Sequence, residues 1–293
     1  MTVPAMRAAV VAIRAGLFDD VTDEVLTHGD QAFGAAVRSS AGPPDRSHVP
    51  WTRAGVGDRA VLVVAGHAGA GASTVALAMA EGLAEGQRVQ LVDCSEPARS
   101  GLAAASAIEL GTDGAGWRRG RRGRLDVFRL IQHPFDGDLP PLPESDDAEG
   151  LAVVDAGWSL THALLDSPGS LVAGAIFVVV TRVTVPAVRQ VEHVLGAIDG
   201  EAAVAALGPA RWPQVVEASC GPRLRELRSR GRVVPVPVDR RLQTTGLTGD
   251  RLPKPVAAAG RALAALLDSA GSPQSRHRRR AVRSRTGPSG QAR

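Results

Sequence analysis

The most constraining feature of this chain is an apolar run that stops at a glycine-rich turn and is followed by a helix of small residues. RAVLVVAG (59–66) shows no polar alternation, GHAGAGAST (66–74) places glycine at 66, 69 and 71, and STVALAMAEGLAEG (73–86) has helical composition. A strand apolar at successive positions is buried on both faces, and a sheet buried on both faces runs mostly parallel between helices. Further apolar runs predict strands at Arg88–Asp93, Leu125–Ile131, Leu151–Asp155, Ala175–Thr181, Ala202–Leu207 and Arg232–Val236. Between the last three runs, Pro186 stands near a helix start, and Val188, Val191, Val194, Leu195 and Ile198 share one helical face. Gly86 is placed to end the first helix, and Val256–Leu267 predicts a closing one. The expected fold class is α/β, a mostly parallel sheet with helices on both faces. Ligands of such folds sit at the carboxyl ends of the strands.

Composition agrees with close packing on a parallel sheet. Five Phe, four Trp and no Tyr leave Ala, Val, Leu and Gly to build the core. The expected organisation is a helical N-terminal extension over 1–40, a Pro- and Gly-rich linker over 41–58, the α/β domain over 59–270, and a disordered tail over 271–293. The net charge of +4 divides unevenly. Residues 271–293 carry seven arginines and no acid, which leaves 27 basic against 30 acidic residues in 1–270, a net of −3. A uniformly basic nucleic-acid-binding domain is excluded.

Cys94 and Cys220 form no CxxC pair, and the seven histidines show no HExxH or Cys/His cluster, so neither a disulfide framework nor a zinc site is expected. The N-terminal apolar stretches, broken by Arg7 and Arg14, are too short for a signal sequence. Leu171–Val180 is about half a membrane span. The expected location is cytoplasmic, without membrane attachment.

The glycine turn matches the phosphate-loop pattern GxxxxGK[ST] at Gly66, Gly71 and Ser73, with Ala72 where the pattern has lysine. Glycines let several N–H groups converge on an anion at the start of a helix. Asp93 ends the second run, and Asp155, followed by Gly157, ends the fourth. A carboxylate there can hold Mg²⁺ through water while a loop serine binds it directly. Read from residues alone, the loop could equally be a tight turn without ligand, and each aspartate a solvated strand-end cap.

Taken together, VLVVAGHAGAGASTVALAMAEGLA (61–84), VQLVDCSEPARSGL (89–102), LAVVDAGWSL (151–160), AIFVVVTRVTVPAVRQVEHVL (175–195) and GRVVPVPVDRRL (231–242) resemble the ParA/MinD family of P-loop ATPases, over roughly residues 59–268. The resemblance implies a P-loop NTPase-like fold, ATP and Mg²⁺ as ligands, a homodimer, and work in partition, conjugative transfer or protein positioning. It assigns phosphates to Gly66, His67, Gly69, Gly71, Ser73, Thr74 and Gly157, Mg²⁺ to Ser73 and Asp155, and the attacking water to Asp93 and Asp155.

The chain departs from the family at several points. The family's two loop lysines fall on His67 and Ala72, its second acid after Asp93 falls on Ser95, and its adenine-reading asparagine has no counterpart in Ala206–Trp212. Lys254 is the one lysine among 34 basic residues, and arginine-for-lysine drift does not yield alanine. The resemblance therefore implies a degenerate nucleotide-binding switch or scaffold, with binding weak or absent and hydrolysis slow or absent. An active ATPase with arginine in place of the lysine, and an interaction protein using the fold as scaffold without nucleotide, both stay open.

Two arginine segments are candidates for anions or nucleic acid. Arg118, Arg119, Arg121 and Arg122 lie in WRRGRRGR (117–124), read as a loop before the third strand, and Arg278, Arg279 and Arg280 lie in the tail. The tail lacks the apolar face of a membrane-surface helix. Each segment could instead be a solvated cationic stretch without a partner. An unidentified protein partner is also expected. Trp158 and Trp212 are read as core residues, and Cys94 as an apolar filler.

Overall fold

The computed structural model of the chain describes residues 60–114, 116–132, 143, 151–158, 161, 176–198 and 201–271. The expected N-terminal extension, the linker and the arginine tail lie outside these residues.

Among the described residues nine strands form one sheet in the order β3-β4-β5-β2-β6-β1-β7-β8-β9. They are β1 (Ala60–Ala65), β2 (Val89–Asp93), β3 (Ile108–Thr112), β4 (Trp117–Arg122), β5 (Leu125–Leu130), β6 (Leu151–Asp155), β7 (Ile176–Arg182), β8 (Glu201–Leu207) and β9 (Val233–Val236). From β5 across to β9 neighbouring strands pair in parallel, while β4 runs antiparallel to both β3 and β5. The helices are α1 (Ala72–Ala84), α2 (Val185–Ala197), α3 (Gln214–Ala218), α4 (Pro222–Ser229), α5 (Arg240–Thr245) and α6 (Lys254–Gly271). The mostly parallel sheet expected from the apolar runs is present.

Strand pleating divides the core in two. Val61, Val63 and Ala65 of β1 face one cluster with α1 and α6, while Leu62 and Val64 face the other with α2 and α4. The small residues of α1 make the first layer thin. A Cβ on Gly260 of α6 would lie 2.0 Å from the Ala78 carbonyl oxygen, so the two helix backbones touch where no side chain fits. This is how a chain poor in aromatics reaches interior density.

Three features depart from the sequence reading. WRRGRRGR is strand β4 and its turn into β5 rather than a loop, and β3 is a further strand outside it. Helices α3, α4 and α5, of five, eight and six residues, are too short for periodicity to reveal. Gly86 caps through its N–H to the Leu83 carbonyl at 3.2 Å. Its φ is not positive, unlike that of a left-handed helix cap.

Strand β4 does not alternate cleanly: Trp117, Gly120 and Arg122 are buried while Arg118 and Arg121 are exposed, so Trp117 and Arg122 are buried on opposite faces of the strand. The Arg122 guanidinium pairs with Glu81 of α1 and donates to the carbonyls of Ala105 (3.0 Å), Thr248 and Asp250. One arginine thus ties the antiparallel hairpin to α1 and to the segment leading into α6. Among the described residues no helix is long and apolar enough to cross a membrane.

Candidate functional site

The glycine turn joins β1 to α1 at the carboxyl edge of the sheet, where the chain leaves β1 for β2 on one side and later returns to β7 on the other. Gly66 donates to the Val180 carbonyl at 2.8 Å, and a Cβ there would meet that oxygen at 2.8 Å and Val191 at 2.9 Å. Gly71 has φ 96° and would drive a Cβ to 2.6 Å from Leu207, so both conformation and neighbour demand glycine. Helix α1 starts at Ala72 with no side-chain cap from the described residues and no acid in its first turn. Its ladder opens with the Val75 N–H to Gly71 bond (3.2 Å), so the N–H groups of Ala72, Ser73 and Thr74 precede the intrahelical partners.

The ends of β2 and β6 close in beside the turn. The Cys94 N–H bonds to the Asp155 carbonyl (3.0 Å), and the Ala156 N–H to that of Val63 (3.0 Å). Asp93 accepts hydrogen bonds from the Ser95 N–H (2.9 Å) and from the Ser100 hydroxyl. Asp155 Oδ1 accepts from the Gly157 N–H (3.1 Å), while Oδ2 is buried and bonds to none of the described residues. The Thr161 hydroxyl bridges this end to β1, donating to the Gly157 carbonyl (2.6 Å) and accepting from the Ala65 N–H (3.2 Å). Close packing brings the loops together: a Cβ on Gly101 would sit 2.7 Å from the Ser73 hydroxyl, and one on Gly157 would sit 2.6 Å from that of Ser95.

Between them opens a cleft of about 530 Å³, walled by residues 68–74, by Ser95, Glu96, Arg99 and Gly101, by Gly157 and Trp158, and by the Leu242–Leu247 side. Gly69, Gly71, Ser73, Thr74 and Gly157 all line this cleft. Gly66 lies buried outside the lining, and His67 is turned to β7. The His67 Nε2 accepts the Arg182 N–H (3.3 Å), its Nδ1 is 2.9 Å from the Ala68 carbonyl, and Arg182 Nε donates to the Gly69 carbonyl (3.1 Å). His67 thus braces the loop against the end of β7.

Asp93 and Asp155 lie behind the wall, 1% and 0% exposed. Burial, and then the Asp93 carboxylate, push the Asp155 carboxyl up to about 7, against the pull of the nearby Ser73 hydroxyl and the Gly157 N–H. Burial also raises Asp93 despite its serine partners and the Arg129 guanidinium. Cys94 is buried beside both carboxylates and is pushed well above the ordinary thiol range, which makes it an inert filler.

The unpartnered Oδ2 and the Ser73 hydroxyl are hard oxygen donors of the kind Mg²⁺ takes. Among the described residues there is no cluster of three His, Cys, Asp or Glu side chains. The donor set fits an ion that completes its shell with phosphate and water, not one caged by protein.

The arginine segment of β4 gives a mixed result. Arg118 is exposed, Arg119 lies over the Phe128 ring at 5.2 Å, and Arg121 pairs with Asp126 at 2.9 Å. Arg122 is 6% exposed and holds the fold, so it is not available to nucleic acid. Arg278, Arg279 and Arg280 lie outside the described residues. Trp212 is core, with Arg228 over its ring at 4.2 Å, whereas Trp158, expected in the core, also lines the cleft. Sequence reading passed over Arg99, Ser100, Thr161 and Arg182. Arg99 and Ser100 lie inside the segment carrying the family resemblance, but nothing in their spacing marks them.

No family model and no curated protein matches the chain. It is similar at low identity to a number of solved structures, of which three follow. The MinD cell division protein of Aquifex aeolicus is 15% identical, with a TM-score of 0.46 over 73% of this chain and 99% of that one. The cell division ATPase MinD of Pyrococcus furiosus is 15% identical, with a TM-score of 0.45 over 72% and 99%. A ParA family ATPase of Chlorobium tepidum is 14% identical, with a TM-score of 0.43 over 71% and 99%.

Proposed function

We propose that the cleft takes the phosphates of ATP together with Mg²⁺, and that the chain works as a nucleotide-responsive switch or scaffold with impaired hydrolysis. One observation carries the reading: the open first turn of α1 stands beside Ser73 and the unpartnered Asp155 Oδ2, while Ala72 stands where a phosphate-contacting lysine would be. The N–H groups of residues 72–74 would hold phosphate oxygens, Ser73 would bind the ion directly, and Asp155 would reach it through water. Bound Mg²⁺ would neutralise phosphate charge. Asp93, held by Ser95 and Ser100, would orient water near the ion. Loss of the lysine removes charge stabilisation in the transition state more than ground-state binding.

The resemblance of residues 59–268 to the ParA/MinD family supports a role in partition, conjugative transfer or protein positioning, as a homodimer with a protein partner. The tail 271–293 has the charge for salt-sensitive, non-specific DNA binding.

A titration with ATP and Mg²⁺, read by thermal shift and calorimetry and followed by a turnover assay, tests the reading. The expected outcome is stabilisation by ATP with Mg²⁺ and slow turnover. Absence of any stabilisation contradicts nucleotide binding. Turnover at the rate of a lysine-bearing ATPase, abolished by Ser73→Ala, contradicts impaired hydrolysis.

A further inference from the structure

We infer that Arg99 supplies, from the β2 side of the cleft, the positive charge toward phosphate that the glycine loop lacks. The inference rests on the nucleotide reading above and assigns a residue to it from the structure. Among the described residues lining the cleft, Arg99 is the cation; the rest are small, apolar or hydroxyl-bearing, apart from Glu96. It ends the one-turn 3₁₀ helix Pro97–Arg99 that follows β2, and its N–H is fixed to the Glu96 carbonyl at 2.8 Å. Backbone placement is therefore set while the side chain is 69% exposed.

Its partner is Glu96, at 3.3 Å and itself 38% exposed. An exposed pair of this kind is weak and readily exchanged. A triphosphate offers more charge and a bidentate fit to the guanidinium. With Asp93 and Asp155 close behind the wall and Glu96 on it, an anion entering the cleft meets carboxylates, and a cation on the lining is needed beside Mg²⁺.

Two arginines beside the glycine turn and β2 are committed elsewhere. Arg182 holds the Gly69 carbonyl, and Arg129 holds the Ala103 carbonyl and Glu109. Arg118, Arg119 and Arg121 stand on β4, separated from β2 by β5. Arg99 thus brings charge to bound phosphate from the turn after β2, while the transition-state contribution of a loop lysine stays absent.

The test uses the full chain and compares ATP with Mg²⁺ against adenosine by calorimetry. Arg99→Ala is expected to weaken ATP about tenfold or more and to leave adenosine unchanged. Glu96→Gln, which frees the guanidinium, is expected to tighten ATP severalfold. Ala72→Lys added to Arg99→Ala is expected to restore ATP affinity, because charge is returned from the loop side. Melting temperatures without ligand stay level across the Arg99 and Glu96 variants, since both side chains are exposed. Wild-type protein that binds ATP while Arg99→Ala binds it equally well overturns the role of Arg99 alone. Wild-type protein that binds no ATP overturns the nucleotide reading, and this inference with it.

Discussion

Asp93 and Asp155 face each other in register at the carboxyl ends of β2 and β6, both buried beneath the floor of one cleft. Two carboxylates this close without bulk water cannot both ionise cheaply. Only Asp93 has a full set of donors around it. Asp155 is accordingly raised to about 7, and its Oδ2 has no partner among the described residues.

Stability should carry the signature of that buried carboxyl. Asp155 is raised from 3.8 to about 7. Between those values the folded state keeps a proton that the unfolded chain releases, so stability present below pH 4 is lost as pH rises toward 7. Asp155→Asn has no such loss. Denaturant unfolding of both proteins across this range is expected to show the wild type declining by about 1 kcal/mol per pH unit relative to the variant. Parallel pH profiles would contradict the raised value.

The two neighbouring arginines of β4 should separate cleanly. Arg122→Ala leaves Glu81 without its buried partner and frees three carbonyls, and is expected to cost about 3 kcal/mol. Arg121→Ala breaks an exposed pair with Asp126 and is expected to cost about 0.5 kcal/mol or less. Unfolding midpoints check both. Equal costs would mean that Arg122 is not a structural tie.

Trp158 offers an internal reporter. It lines the cleft, whereas Trp117 and Trp212 are buried in the opposite cluster. ATP with Mg²⁺ is expected to change the tryptophan emission, and Trp158→Phe to abolish the change. A signal that survives the substitution would move the binding site elsewhere.

The parallel core was legible because unbroken apolar runs such as LVV at 62–64 have one physical use, burial on both faces of a sheet. The hairpin β3–β4 was not, since β3 is exposed throughout and β4 buries Trp117 and Arg122 on opposite faces, leaving no apolar period to find. In the site, Gly71 and Ser73 were readable from spacing around the loop. The contact of His67 with Arg182 was not readable, because it joins residues 115 apart in sequence. Arg99 escaped notice for the same reason: its meaning comes from the wall it lines, not from the residues beside it in sequence.

Ala72 is where the account is most directly exposed. It lines the cleft at the start of α1, where the phosphate-loop pattern GxxxxGK[ST] has lysine. Calorimetry and turnover with ATP and Mg²⁺ on wild-type protein and Ala72→Lys decide the matter. The account predicts measurable binding and slow turnover in the wild type, with turnover rising about 100-fold in the variant as transition-state charge is restored. Wild-type protein that binds no ATP, or a variant whose turnover matches the wild type, would contradict it.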